Sequence, residues 1–147
     1  MIRHHLILRV ITKLLVGPIM LFALYVQFHG DYSPGGGFQA GVIMAVAFII
    51  YGIVFSLETV QRVFPPWLVH QLMALGVLIF AGTGIASLFL GYNYLDYAAL
   101  NPHHPEHGQH YGILLVEFGV GVTVTGVMVA VYYAFAGRTP TISDEEW

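Results

Sequence analysis

The carboxylates and imidazoles of this chain are few and grouped, and each group implies a chemistry. Glu117 stands alone in the apolar run from Tyr111 to Ala136. A carboxyl group there costs several kcal/mol unless it is paired or hydrated, which makes it a functional candidate. Desolvation favours its neutral form, which suits a group that takes and releases a proton. His29 and Asp31 flank Gly30 in a short polar connection, where an imidazole titrating near neutral pH could pass protons inward. Glu58 and Arg62 are four residues apart, the spacing of an ordinary helical ion pair. His70 and Gln71 open a later apolar run and read as interfacial or packed groups, with a proton relay as the sharper reading of His70. His103, His104, His107 and His110 could offer imidazole nitrogens to zinc or copper. Pro102, Pro105 and Gly108 interrupt them, however, so a solvated loop with no metal is expected. The chain has no cysteine, which excludes disulfides, thiolate metal sites and cysteine nucleophiles. No Ser-His-Asp order, phosphate loop or dinucleotide fingerprint is present, so a self-contained enzyme is not expected, and neither is a bound cofactor.

The elements that must position these groups follow from composition. Of 147 residues, 57% are apolar and 9% charged, whereas a soluble domain carries about 25% charged residues. Five basic residues and a net charge of -3 provide no electrostatic basis for binding nucleic acid. Four apolar stretches, 6–28, 36–57, 67–91 and 111–136, each reach the roughly 20 residues that a helix needs to cross a bilayer. The expected fold is therefore an all-α integral membrane protein with four transmembrane helices in one domain, residues 1–137. Membrane lipid is its expected surroundings. A short acidic tail follows at 138–147, containing Asp144, Glu145 and Glu146.

Basic residues set the orientation. Arg3, Arg9 and Lys13 lie in the first flank, Arg62 in the second connection and Arg138 in the tail, while the first and third connections have none. Both termini are therefore expected in the cytoplasm. Trp67, Tyr92, Tyr94, Tyr97 and Tyr111 fall at span ends, where amphipathic rings favour the headgroup level. A cleaved signal is a poor reading of the first span, which leads into the second without an Ala-x-Ala-like site.

The most distinctive segment runs from Phe28 to Gly41 and contains Ser33-Pro34-Gly35-Gly36-Gly37-Phe38-Gln39. It reads as a tight turn opening the second helix, with Gly37, Gly41 and Ala45 as a small-residue stripe for close helix approach. Amides at that helix start, beside His29 and Asp31, could bind an ion or line its path. With Gly17-Pro18 and Phe28-His29-Gly30, this segment resembles the B subunits of Mrp-type multisubunit sodium/proton antiporters. The number of spans and the acid early in the fourth, Glu117, are similar too; Asp31 and Ala40 depart from the family pattern. The resemblance implies a non-autonomous subunit of a bacterial cell-membrane complex that exchanges sodium for protons. Its partners would be larger antiporter-like subunits and other small ones. Related modules occur in complex I-like and membrane-bound hydrogenase assemblies, which leaves those as alternative parents, and a purely structural scaffold as an alternative role.

The fourth span has two faces. Gly112, Gly119, Thr123, Gly126 and Ala130 lie about 180–240° around the axis from Glu117, at about 100° per residue. That small-residue face suits one close helix neighbour. Glu117, with Ile113 and Val124, must then face a second protein neighbour or a wet cavity, which favours life inside a complex. Gln39, Thr83 and Ser87 read as polar groups that bond across helices.

Overall fold

The computed structural model describes residues 6–30, 34–101 and 103–138. Asp31, Ser33, Arg3, the His4-His5 pair, Pro102 and the acidic tail lie outside the described residues. Five α-helices carry the chain: α1 (Leu6–Gln27), α2 (Gly37–Phe55), α3 (Leu57–Val63), α4 (Pro66–Phe89) and α5 (Pro105–Ala136), with a 3₁₀ turn at Tyr97–Leu100 before α5. No strand occurs among the described residues. All but α3 are long and apolar enough to cross a membrane, and their outward side chains match a lipid surrounding, with Phe89 at 89% exposure.

The helix limits follow from local chemistry. Pro66 and Pro105 each occupy a first-turn position, where the missing N–H is not needed. The proline at 105 starts α5 six residues before the expected 111, so His107 and His110 are helical and not in a loop. At 32 residues α5 is the longest helix, about 48 Å at 1.5 Å per residue, and it overhangs a 30 Å hydrocarbon core. Pro18 sits inside α1, which membrane helices tolerate.

The second apolar run does not continue to 57. Ser56 stops it with φ 129° and ψ 156°, a region that costs a residue with a Cβ about 1–3 kcal/mol. Its hydroxyl accepts the Thr59 N–H at 3.3 Å and meets the Thr59 hydroxyl at 2.9 Å, capping α3.

Side by side, the long helices run α1, α2, α5, α4. The last helix in sequence is thus central, and α3 takes the chain past the end of α5, where Leu57 reaches to within 3.9 Å of the Cβ position of Gly137. Ala45, Val60, Phe64, Val69, Val129 and Tyr133 form the buried core at this end. There the Tyr133 hydroxyl donates to the Phe64 carbonyl at 2.7 Å. We call this the terminal end, because α1 starts and α5 finishes there; the opposite one is the turn end.

Both faces of α5 are covered from within the chain. The small-residue face meets α4: a Cβ at Gly119 would stand 2.8 Å from the Gly76 carbonyl oxygen, and one at Gly76 would stand 2.5 Å from the Gly119 oxygen. The face bearing Glu117, Gly121 and Thr125 meets α2, and the Thr125 hydroxyl donates to Gly41 O at 3.2 Å and Gly121 O at 2.8 Å. This corrects the expectation that Glu117 needs a neighbour from outside the chain: its second neighbour is the start of α2, brought close because Gly37 and Gly41 have no side chains. Thr83 and Ser87 are corrected as well. Their hydroxyls donate to Ile79 O (2.8 Å) and Thr83 O (3.4 Å) within α4, since a short hydroxyl reaches the carbonyl one turn back more easily than a neighbouring helix.

Candidate functional site

At the turn end, the connection between α1 and α2 folds back on itself. The Gly36 N–H donates to Val26 O at 3.3 Å, and the Gly36 carbonyl accepts from Ala40 at 3.0 Å as the helix begins. Gly36 has φ 119° and ψ -176°, a conformation that glycine adopts without strain. The turn therefore needs glycine at this position for its own backbone.

It also needs glycines for what lies against it. A Cβ at Gly30 would stand 2.7 Å and 2.9 Å from the two carboxylate oxygens of Glu117. One at Gly36 would stand 2.8 Å from Glu117 Oε1. At Gly37 it would run into the Glu117 main chain, 2.7 Å from the carbonyl carbon and 3.0 Å from Cα. Three glycines of the turn thus form a cradle shaped to Glu117, and the carboxylate is laid against bare backbone at the start of α2. The first amides of a helix have no intrahelical acceptor and carry its positive dipole end, so this is favourable ground for an anionic group.

Other residues singled out from the sequence gather at the same end. His29 is half-buried and adjoins Gly30, its ring stacked on Tyr25 with centroids 4.7 Å apart. Gln39 and Phe38 are exposed on the first turn of α2, and the Gln39 Oε1 is 3.8 Å from the Cβ position of Gly36. Pro34 is exposed, and Gly35 packs toward Val26, whose carbonyl oxygen is 3.1 Å from its Cβ position. Gly41 lies one turn further along α2, against Gly121 and Val124 of α5.

Glu58 and His70 do not join this site. Glu58 is on α3 and His70 on α4, both at the terminal end. The Nδ1–H of His70 donates to Pro66 O at 2.6 Å, tying the ring to the first turn of its own helix. Glu58 and Arg62 line a polar cavity of about 510 Å³ together with Arg9, Phe55 and Thr59. The helical spacing of Glu58 and Arg62 is as expected, but among the described residues no ion pair joins them.

The histidine segment leads into α5. His104 is the residue before the helix, and its ring meets that of His107 edge-on at 5.8 Å. Among the described residues no three His, Asp or Glu side chains gather as a metal site. Nearby, burial pushes the Tyr97 phenol above its usual range, and Tyr94 adds to the effect; the Tyr97 ring covers Gly112.

Gln27 escaped the sequence reading. It is 6% exposed, and its Oε1 lies 2.5 Å from the Cβ position of Gly121, one turn along α5 from Glu117. Its Nε2 has no hydrogen-bond partner among the described residues. It borders an apolar cleft of about 250 Å³ between α1, α2 and α5, with Ala23, Gly41, Phe118 and Thr125. A glutamine at the end of an apolar run reads as interfacial, and only the packing of α1 on α2 puts it inside.

Comparison with known proteins agrees with this architecture. The family model described as "Domain related to MnhB subunit of Na+/H+ antiporter" matches residues 7–130. Relatives provisionally named "antiporter subunit mnhB2" are found in Staphylococcus haemolyticus (strain JCSC1435) and Staphylococcus aureus (strain Newman). Each is 35% identical over 136 residues, covering 91% of this chain and 96% of the relative.

Proposed function

The chain belongs to the family of MnhB subunits of Na+/H+ antiporters, and on that premise we propose that Glu117 is its ion-handling group, taking and releasing a proton at the turn end. The chain is a multi-pass protein of the bacterial cell membrane and a subunit of a multisubunit sodium/proton antiporter. The family match favours that parent over a hydrogenase-type relative. Other subunits of the complex are its partners, and the transported ions are Na+ and H+.

The observation that carries this reading is the cradle. A carboxyl group within a span is set against the backbone of Gly30 and Gly36 beside the start of α2, where helix-start amides favour its charged form. The basic residues support an outward-facing turn end, since Arg9 and Arg62 share the terminal end. His29, beside the cradle, is the group through which protons reach Glu117 from outside.

The test is Glu117→Gln in the whole complex, assayed for sodium-driven proton movement in membrane vesicles. Glutamine keeps the shape and removes the titration. The expected result is normal assembly with exchange reduced by about a hundredfold or more, the scale of general acid-base contributions. Unchanged exchange would end the proposal, and lost assembly would mark Glu117 as an architectural residue. Liposomes holding this chain alone should show no sodium-dependent proton flux.

A further inference from the structure

At the terminal end, the start of α1 and the α2–α3 junction border the open polar cavity of about 510 Å³, within the usual 300–1,000 Å³ of small-ligand sites. The strained stop at Ser56 creates it, because α3 leaves α2 at an angle there and does not continue it. Arg9 of α1 and Arg62 of α3 both line the cavity. The Arg9 guanidinium sits 5.1 Å over the Phe55 ring, and the Lys13 ammonium sits 5.4 Å over the same ring. Among the described residues, two guanidinium groups and one acid, Glu58, line the cavity, with the Lys13 ammonium close by over Phe55. Like charges facing one cavity repel, and an anion held by both guanidinium groups relieves that repulsion. Arginine matches phosphate oxygens with a two-pronged set of donors.

We infer that this cavity binds the phosphodiester of a membrane phospholipid. The position selects lipid over a soluble anion. Arg9 stands near the start of the membrane-spanning α1 and Arg62 on α3, just past the end of α2. This puts both at headgroup level, where basic pockets between helices hold lipid headgroups. Exposed apolar side chains continue from the cavity along the same helices: Val10 and Leu14 on α1, Ile53 on α2, and Val63 on α3. They offer the acyl chains a surface. Glu58 restricts the fit to a headgroup with one negative charge, because a second would meet the carboxylate.

The test uses the purified full-length chain in detergent, titrated with phosphatidylglycerol and read by native mass spectrometry. One tightly held lipid is expected, with affinity falling about fivefold for each guanidinium removed in Arg9→Gln and Arg62→Gln. Arg138→Gln, at the end of α5, leaves binding unchanged. Arg9, Arg62 and Glu58 are exposed, so the variants should fold, and retained helicity checks that they do. The double Arg→Lys variant keeps the charge and should recover most of the binding. Equal binding by the wild type and the double glutamine variant would overturn the inference. So would a double lysine variant no better than the glutamine one. Displacement of the lipid by inorganic phosphate would assign the cavity to a soluble anion instead. In the assembled complex, a photoreactive phosphatidylglycerol should label α1 or α3; labelling blocked by another subunit on this face would make the cavity a protein interface.

Discussion

The two ends of this molecule handle charge in opposite ways. At the turn end, the Glu117 carboxyl group lies against Gly30 and Gly36 and its backbone against Gly37, with no room for so much as a methyl group at any of the three. At the terminal end, Arg9, Glu58 and Arg62 are exposed around an open cavity. In the first place the acid is held in close packing; in the second, the charges stay open to water or a headgroup. A tightly packed charge makes its neighbours unforgiving, whereas a hydrated one leaves them replaceable.

The comparison would break first at Gly37. A methyl group there collides with the Glu117 backbone, and neither helix can yield without opening the α2–α5 seam. Gly37→Ala should cost about 3 kcal/mol, seen as lost accumulation of the chain in membranes or a lower midpoint in detergent unfolding. A fully stable Gly37→Ala protein would mean that the seam is looser than described. At the other end, Ser56 offers two substitutions of opposite sign. Ser56→Ala keeps the strained backbone and loses the cap to Thr59, for a loss of about 1 kcal/mol. Ser56→Gly relieves a strain of about 1–3 kcal/mol and should raise the thermal midpoint. Equal shifts from the two would show that backbone strain is not what ends α2. The smallest effect belongs to Glu58→Gln, which should move stability by no more than about 0.5 kcal/mol, as for exposed positions generally. A large loss there would erase the contrast between the two ends.

Much of the cradle's membership was legible from the sequence, though its geometry was not. The run from Pro34 to Gly41 announces a turn that opens a helix, and Glu117 announces itself by being an acid among apolar residues. Nothing in their spacing says that the two meet, because they are some 80 positions apart and the row order α1, α2, α5, α4 brings them together. The two-faced pattern of α5 was readable as well, but not which helix would cover the Glu117 face. Gln27 was missed because its burial depends on a neighbour, and the α5 start because Pro105 was read as a breaker when proline also begins helices.

Composition and run length by themselves determined that this chain spans a membrane four times. Hydrocarbon rewards about 20 consecutive apolar residues wherever they fall, and that preference is local. Which charge is sheltered and which is left wet was decided only by tertiary packing. The small residues of α2, α4 and α5 permit several close approaches, and only the folded arrangement selects the one that lays Glu117 against Gly30, Gly36 and Gly37.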